Sequence, residues 1–127
     1  MMFVRTEVRP SLIHNVGTFL LEPVKKGQLV WRFDPRIDRT YTQPEIDAMS
    51  DVVKTLIDDY GRWDEAKQLW LLCGDEMRYT NHADNPLLTS TGGPFGDDLA
   101  ARDLAPEEEL SLDYRVICDL TKTNGVL

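Results

Sequence analysis

The apolar residues of this chain fall in short runs separated by turn-forming residues, with one exception in the middle of the sequence. Phe3 to Val8 alternates apolar and polar side chains, as a half-buried strand does. Residues 17–21 and 28–33 read as two more strands, parted by the turn chemistry of Pro23-Val24-Lys25-Lys26-Gly27. Residues 67–73, 87–91, 95–102 and 109–116 continue the pattern, with Gly92-Gly93-Pro94 as a turn. The exception is 43–59. Thr42 and Glu45 stand as a capping box, and Ile46, Met49, Val52 or Val53, Leu56 and Ile57 then recur at helical spacing up to Gly61. This predicts a mostly β domain with one helical insertion, about residues 40–66. No GxGxxG follows a strand, which speaks against a doubly wound nucleotide-binding fold.

A chain of 127 residues suits one domain, here taken as 1–127 with a short C-terminal tail at 117–127. Its net charge of −8 disfavours binding to nucleic acid phosphates and suits a basic partner, although solubility alone also explains an acidic surface. No apolar run is long enough to span a membrane, and the first residues do not read as a signal peptide. The two cysteines, Cys73 and Cys118, are expected as free buried thiols of a cytoplasmic protein. They form no CxxC pair that would hold a structural zinc.

Three segments carry polar residues suited to chemistry: residues 11–30, Met77 to Pro86, and Ala100 to Tyr114. Each has an ordinary explanation on its own. An Asn-His pair usually holds a loop, and three consecutive glutamates usually make a solvated turn. Taken together and in order, they resemble the SET-domain lysine methyltransferases. That family carries an early G-x-G turn, an R-F-x-N-H-S-C-x-P-N segment and a late G-E-E-L-x-x-D-Y segment. Here the middle segment is Arg78-Tyr79-Thr80-Asn81-His82-Ala83-Asp84-Asn85-Pro86-Leu87, and the last is Glu107-Glu108-Glu109-Leu110-Ser111-Leu112-Asp113-Tyr114. The chain departs from the pattern at Asn15, at Ala83-Asp84, at Leu87 and at Glu107.

The resemblance implies a β-clip SET-domain fold whose C-terminal pseudoknot brings Asn81-His82 against Tyr114. It implies S-adenosyl-L-methionine as cofactor, a lysine-containing protein or peptide as substrate, and no metal. His14, Asn15, Val16 and Gly17 would supply main-chain contacts to the cofactor, with Arg78, Tyr79, Asn81, His82 and Tyr114 around it. Tyr114 is the expected catalytic residue, and His82 a cofactor anchor. Tyr41, Tyr60, Trp31, Trp63 and Trp70 are candidate walls of a lysine channel, or ordinary core residues. The tail 117–127 has no aromatic to close such a channel, so a homodimer partner or the substrate would complete it. Two rivals stay open. One is a SET-fold peptide-binding module with weak or lost catalysis. The other is a non-haem iron oxygenase, from the H-x-D spacing of His82 and Asp84.

Overall fold

Most of the apolar runs become strands, but shorter ones than the sequence predicts. A computed structural model describes residues 1–118. Strand β1 (Thr6–Pro10) pairs antiparallel with β2 (Val16–Leu20). The first strand therefore starts later than Phe3, which is 50% exposed and joins the fold through its own N–H donating to the Val30 carbonyl. Strand β3 (Leu29–Trp31) follows the turn at Gly27, whose φ of +80° needs glycine's freedom.

The helical insertion is not one helix. Strand β4 (Arg39–Tyr41) leads into α1 (Gln43–Asp47), then α2 (Asp51–Tyr60), and β5 (Arg62–Asp64) closes the excursion. The capping box forms as expected: the Thr42 hydroxyl accepts from the Glu45 N–H, and the Glu45 carboxylate accepts from the Thr42 N–H. The break comes from Ser50. It is extended (φ −66°, ψ 157°), and its hydroxyl accepts from the Val53 N–H, starting a second helix. Strand β6 (Leu69–Leu72) sits between β4 and β5 in an antiparallel sheet. Beneath it lies a core of Ile46, Ile57, Trp63, Trp70 and Leu72, with Tyr41 and Tyr60 packed at its edge. Ile57 is 1% exposed, and such burial contributes about 1.5–3 kcal/mol.

A 3-10 turn, Glu76–Tyr79, leads into β7 (Asn81–His82). Strand β8 (Leu88–Ser90) then meets β9 (Asp98–Ala100), giving the antiparallel order β3-β9-β8. The expected strand 95–102 is cut short at its start because Gly93–Phe95 is a 3-10 turn. The last strand, β10 (Ser111–Leu112), also ends early. The Asp113 carboxylate accepts from the Arg115 N–H, so Tyr114 opens a one-turn helix, α3 (Tyr114–Ile117), instead of continuing a strand. Ile117 is 2% exposed in the main core, so the chain is still packed at the start of the expected tail. The remainder of that tail lies outside the described residues. Cys73 is buried and Cys118 only half-buried, its thiol donating to the Tyr114 carbonyl. No helix among the described residues is long and apolar enough to cross a membrane.

Candidate active site

Strands β7 and β10 are far apart in sequence, yet they pair in parallel, Ser111 opposite Asn81 and Leu112 opposite His82. This pairing sets the site. Asn81, 7% exposed, aims its amide nitrogen at the His14 carbonyl (3.1 Å), the Val16 carbonyl (2.9 Å), the Ser11 hydroxyl (3.2 Å) and the Glu109 carboxylate (3.0 Å). Two N–H groups serve four acceptors, so the amide staples the loop of residues 11–16 to the late Glu-Glu-Leu segment. Its donors are thus spent on protein groups, while its amide oxygen accepts no hydrogen bond among the described residues. Gly17 belongs to the same joint. A Cβ there would stand 2.3 Å from the Glu109 carboxylate, so glycine lets the strand approach that side chain.

His82 is held from both ring nitrogens. Its Nδ1 accepts from the Tyr114 N–H at 3.1 Å, which requires Nδ1 to be unprotonated. Its Nε2 lies 3.0 Å from the Asp84 carboxylate and carries the proton in the neutral ring. Both nitrogens are engaged, as befits a positioning group and not a base. The His82 and Tyr114 rings meet edge to face at 5.4 Å. The Tyr114 hydroxyl donates to the Thr80 carbonyl at 2.6 Å, and burial pushes its pKa up to about 12. Asp113, hydrogen-bonded by Arg115, is held below the usual carboxylate range.

These side chains face a cleft of about 350 Å³, within the range of small-molecule sites. His14, Asn15, Val16, Arg78, Tyr79, Asn81, His82 and Tyr114 all line it, whereas Gly17 does not. Four further residues line it beyond those expected around the cofactor: Ile13 and Thr80, which lie within the motif segments, and Asp59 and Tyr60, which lie outside them. The last two come from the end of α2, and the Tyr60 ring meets Tyr79 edge to face at 5.4 Å. Their only sequence signal was the position of Tyr60 at the close of a helix. Of the other aromatic candidates, Trp31, Trp63 and Trp70 are buried in the two cores and Tyr41 packs against the second, so none of them walls the cleft. Arg78 donates through Nε to the Cys73 carbonyl and makes no ion pair among the described residues, which leaves its terminal N–H groups for an anion. Among the described residues no three His, Cys, Asp or Glu side chains gather as a metal site. His14 instead lies beside the Asn15 amide, on the exposed loop.

No family model matches the sequence, and no curated protein matches it. The fold does have relatives among solved structures. One is a candidate histone methyltransferase from Plasmodium falciparum, with a TM-score of 0.60 and 17% sequence identity, covering 87% of this chain and 93% of that one. At that identity the likeness is one of fold: the two chains share a small, β-rich architecture over nearly their whole lengths.

Proposed function

We propose that the protein is a SET-domain methyltransferase that moves a methyl group from S-adenosyl-L-methionine to a lysine side chain of a protein substrate. One observation carries this reading: the parallel β7–β10 pairing gathers the loop of residues 13–16, Asn81-His82 and Tyr114 around one cleft. These are the segments that the SET resemblance assigns to one site. The likeness of fold to a candidate histone methyltransferase supports it.

The lining fits such a cofactor. The open guanidinium of Arg78 suits a carboxylate, the main chain of 14–16 offers polar groups, and the Tyr60 and Tyr79 faces suit a purine or a sulfonium. When bound, the cofactor supplies an electrophilic methyl group on a cationic sulfur. The chain's own residues do the rest. Tyr114 is a phenol at neutral pH, because its pKa is pushed up to about 12. It therefore orients an amine through its oxygen lone pair, while its own O–H stays donated to the Thr80 carbonyl. A lysine ammonium, with a reference pKa of about 10.4, must first lose its proton to water, and an aromatic, partly desolvated site favours the neutral amine. Positioning then accounts for most of the rate. The net charge of −8 favours a basic peptide as partner, and the setting we propose is the cytoplasm.

A second reading has one observation in its favour. The Asn81 amide donors are spent on protein groups, as they would be in a SET-fold peptide-binding module without catalysis. Radiolabelled methyl transfer to an array of lysine peptides separates the two. The enzyme reading expects label with the native protein and a loss of about 100-fold in Tyr114→Phe. Equal labelling by that variant would remove Tyr114 from the reaction, and no labelling by the native protein would favour the binding module.

A further inference from the structure

The helical turn that carries Tyr114 begins on His82. Helix α3 has four residues, and a single turn gains too little from its own bonds to hold alone. Side chains take up its first two N–H groups. Tyr114 N–H donates to His82 Nδ1 at 3.1 Å, and Arg115 N–H donates to Asp113 Oδ1 at 3.0 Å. The far end is fixed by Ile117, which is 2% exposed in the main core. The backbone at the Tyr114 end rests on polar bonds.

The bond to His82 exists in one protonation state only. A neutral imidazole can accept at Nδ1, whereas an imidazolium donates from both ring nitrogens. Protonated His82 therefore sets an N–H against the Tyr114 N–H. Another acceptor stands close by: Asp113 Oδ1 is 3.9 Å from Nδ1. That same oxygen caps α3 and accepts from Arg115 Nε at 2.9 Å. A ring drawn toward it takes the acceptor from Tyr114 and competes for the cap of Arg115 in one move. Nε2 meanwhile keeps its contact with the Asp84 carboxylate at 3.0 Å.

The charges around the ring permit both states. Asp84 and Asp113 favour the imidazolium, and Arg115, which bonds to both, opposes it. Asp59 from α2 and Arg78 from the 3-10 turn line the same cleft with opposite signs. So do Tyr60, Tyr79 and His14, the last on the exposed early loop. Arg115 holds Asp113 below the usual carboxylate range, so this acceptor stays charged where a histidine titrates. The His82 side chain is 10% exposed, so water can deliver the proton.

We propose that His82 is a pH-operated latch on the turn that presents Tyr114. Neutral His82 holds the Tyr114 main chain and keeps the wall of the cleft in place. Protonated His82 turns toward Asp113 and releases the first turn of α3. The proton enters on Nδ1 from solvent, and no covalent bond of the chain changes. The effect on the cofactor rests on the methyltransferase reading above: binding weakens as pH falls through the His82 midpoint.

The latch is tested first without cofactor. NMR titration from about pH 8 to about pH 5 follows the His82 ring nitrogens and the Tyr114 amide together. The expected result is one shared midpoint, with circular dichroism constant throughout. His82→Asn keeps an acceptor near the Nδ1 position and cannot titrate, so the Tyr114 amide signal there no longer moves over this range. A Tyr114 amide that does not follow His82 in the native protein, or that still titrates in the variant, overturns the inference. The native measurement decides alone if the variant folds poorly. Calorimetric titration with S-adenosylmethionine at about pH 7.5 and about pH 5.5 then finds several-fold weaker binding at the lower pH, a dependence that His82→Asn loses. Equal affinity at both pH values in the native protein overturns the inference and leaves the methyltransferase reading standing. A shared midpoint with no cofactor binding at either pH supports the latch and overturns that reading.

Discussion

Asn15 and Glu107 both hold left-handed backbone, with φ of 44° and 78°. They stand where the SET pattern has glycine, in the early turn and before Glu-Glu-Leu. At these points the fold keeps the backbone shape that glycine supplies, and the chain bears the strain of a side chain there. Asn tolerates that region better than most residues; Glu107 is offset only by an exposed contact with Arg9, which is worth little. Asn15→Gly and Glu107→Gly should each therefore raise stability, Glu107→Gly by about 1 kcal/mol and Asn15→Gly by less, measured by urea unfolding. Loss of stability in both would show that the φ values are not a source of strain. Tyr114 makes a second prediction at this scale. Burial raises its folded pKa to about 12, above the ordinary 10.0, so its contribution to stability is fully present below pH 10 and is lost as pH rises through about 12. Ultraviolet titration of the four tyrosines should show one late component that Tyr114→Phe removes. A titration unchanged above pH 11 in that variant would contradict the buried phenol.

Among the elements, the insertion is fastened to the main sheet by a buried polar joint. Arg62 in β5 lies over the Trp31 ring at 5.3 Å and 3.8 Å from the Asp98 carboxylate, with Trp31 and Asp98 opposite one another on β3 and β9. Both charged side chains are almost wholly inaccessible, 7% for Arg62 and 0% for Asp98. Burial holds the Asp98 carboxyl above its usual range, and Arg62 pulls it back. Removing one partner of such a pair typically costs about 3–5 kcal/mol. Arg62→Met should cost about that much at neutral pH and clearly less near pH 4, where the orphaned Asp98 takes up a proton. Thermal melts at the two pH values check this, and an equal loss at both would contradict a charged Asp98.

That joint was not legible in the sequence. Strands β4 and β5 have three residues each, too few for a period to register, and β5 buries an Arg and an Asp that composition assigns to the surface. Longer signals were legible. The capping box at Thr42 and Glu45 was, and so were the runs that became β2, β3, β6 and β8. The break at Ser50 was hidden because Met49, Val53 and Ile57 keep helical spacing across it. Tyr114 was read into a strand because Asp113 was weighed as a motif residue and not as a helix cap.

For the whole molecule, the cleft depends on contacts between segments that local patterns cannot relate. Eight of the nine residues expected around the cofactor line it, because β7 meets β10 and Asn81 ties the early loop to both. What the motifs could not supply is the wall that α2 contributes through Asp59 and Tyr60, whose placement follows from the packing of the insertion on its own core. Nor did they indicate that Asn81 spends its donors on the protein. The decisive measurement is therefore calorimetric titration of the native protein with S-adenosylmethionine, with Arg78→Ala alongside. Saturable binding at one site per chain, weakened about tenfold or more in the variant, is the expected result. No heat of binding up to millimolar cofactor, in a protein that is folded by circular dichroism, would contradict the methyltransferase assignment.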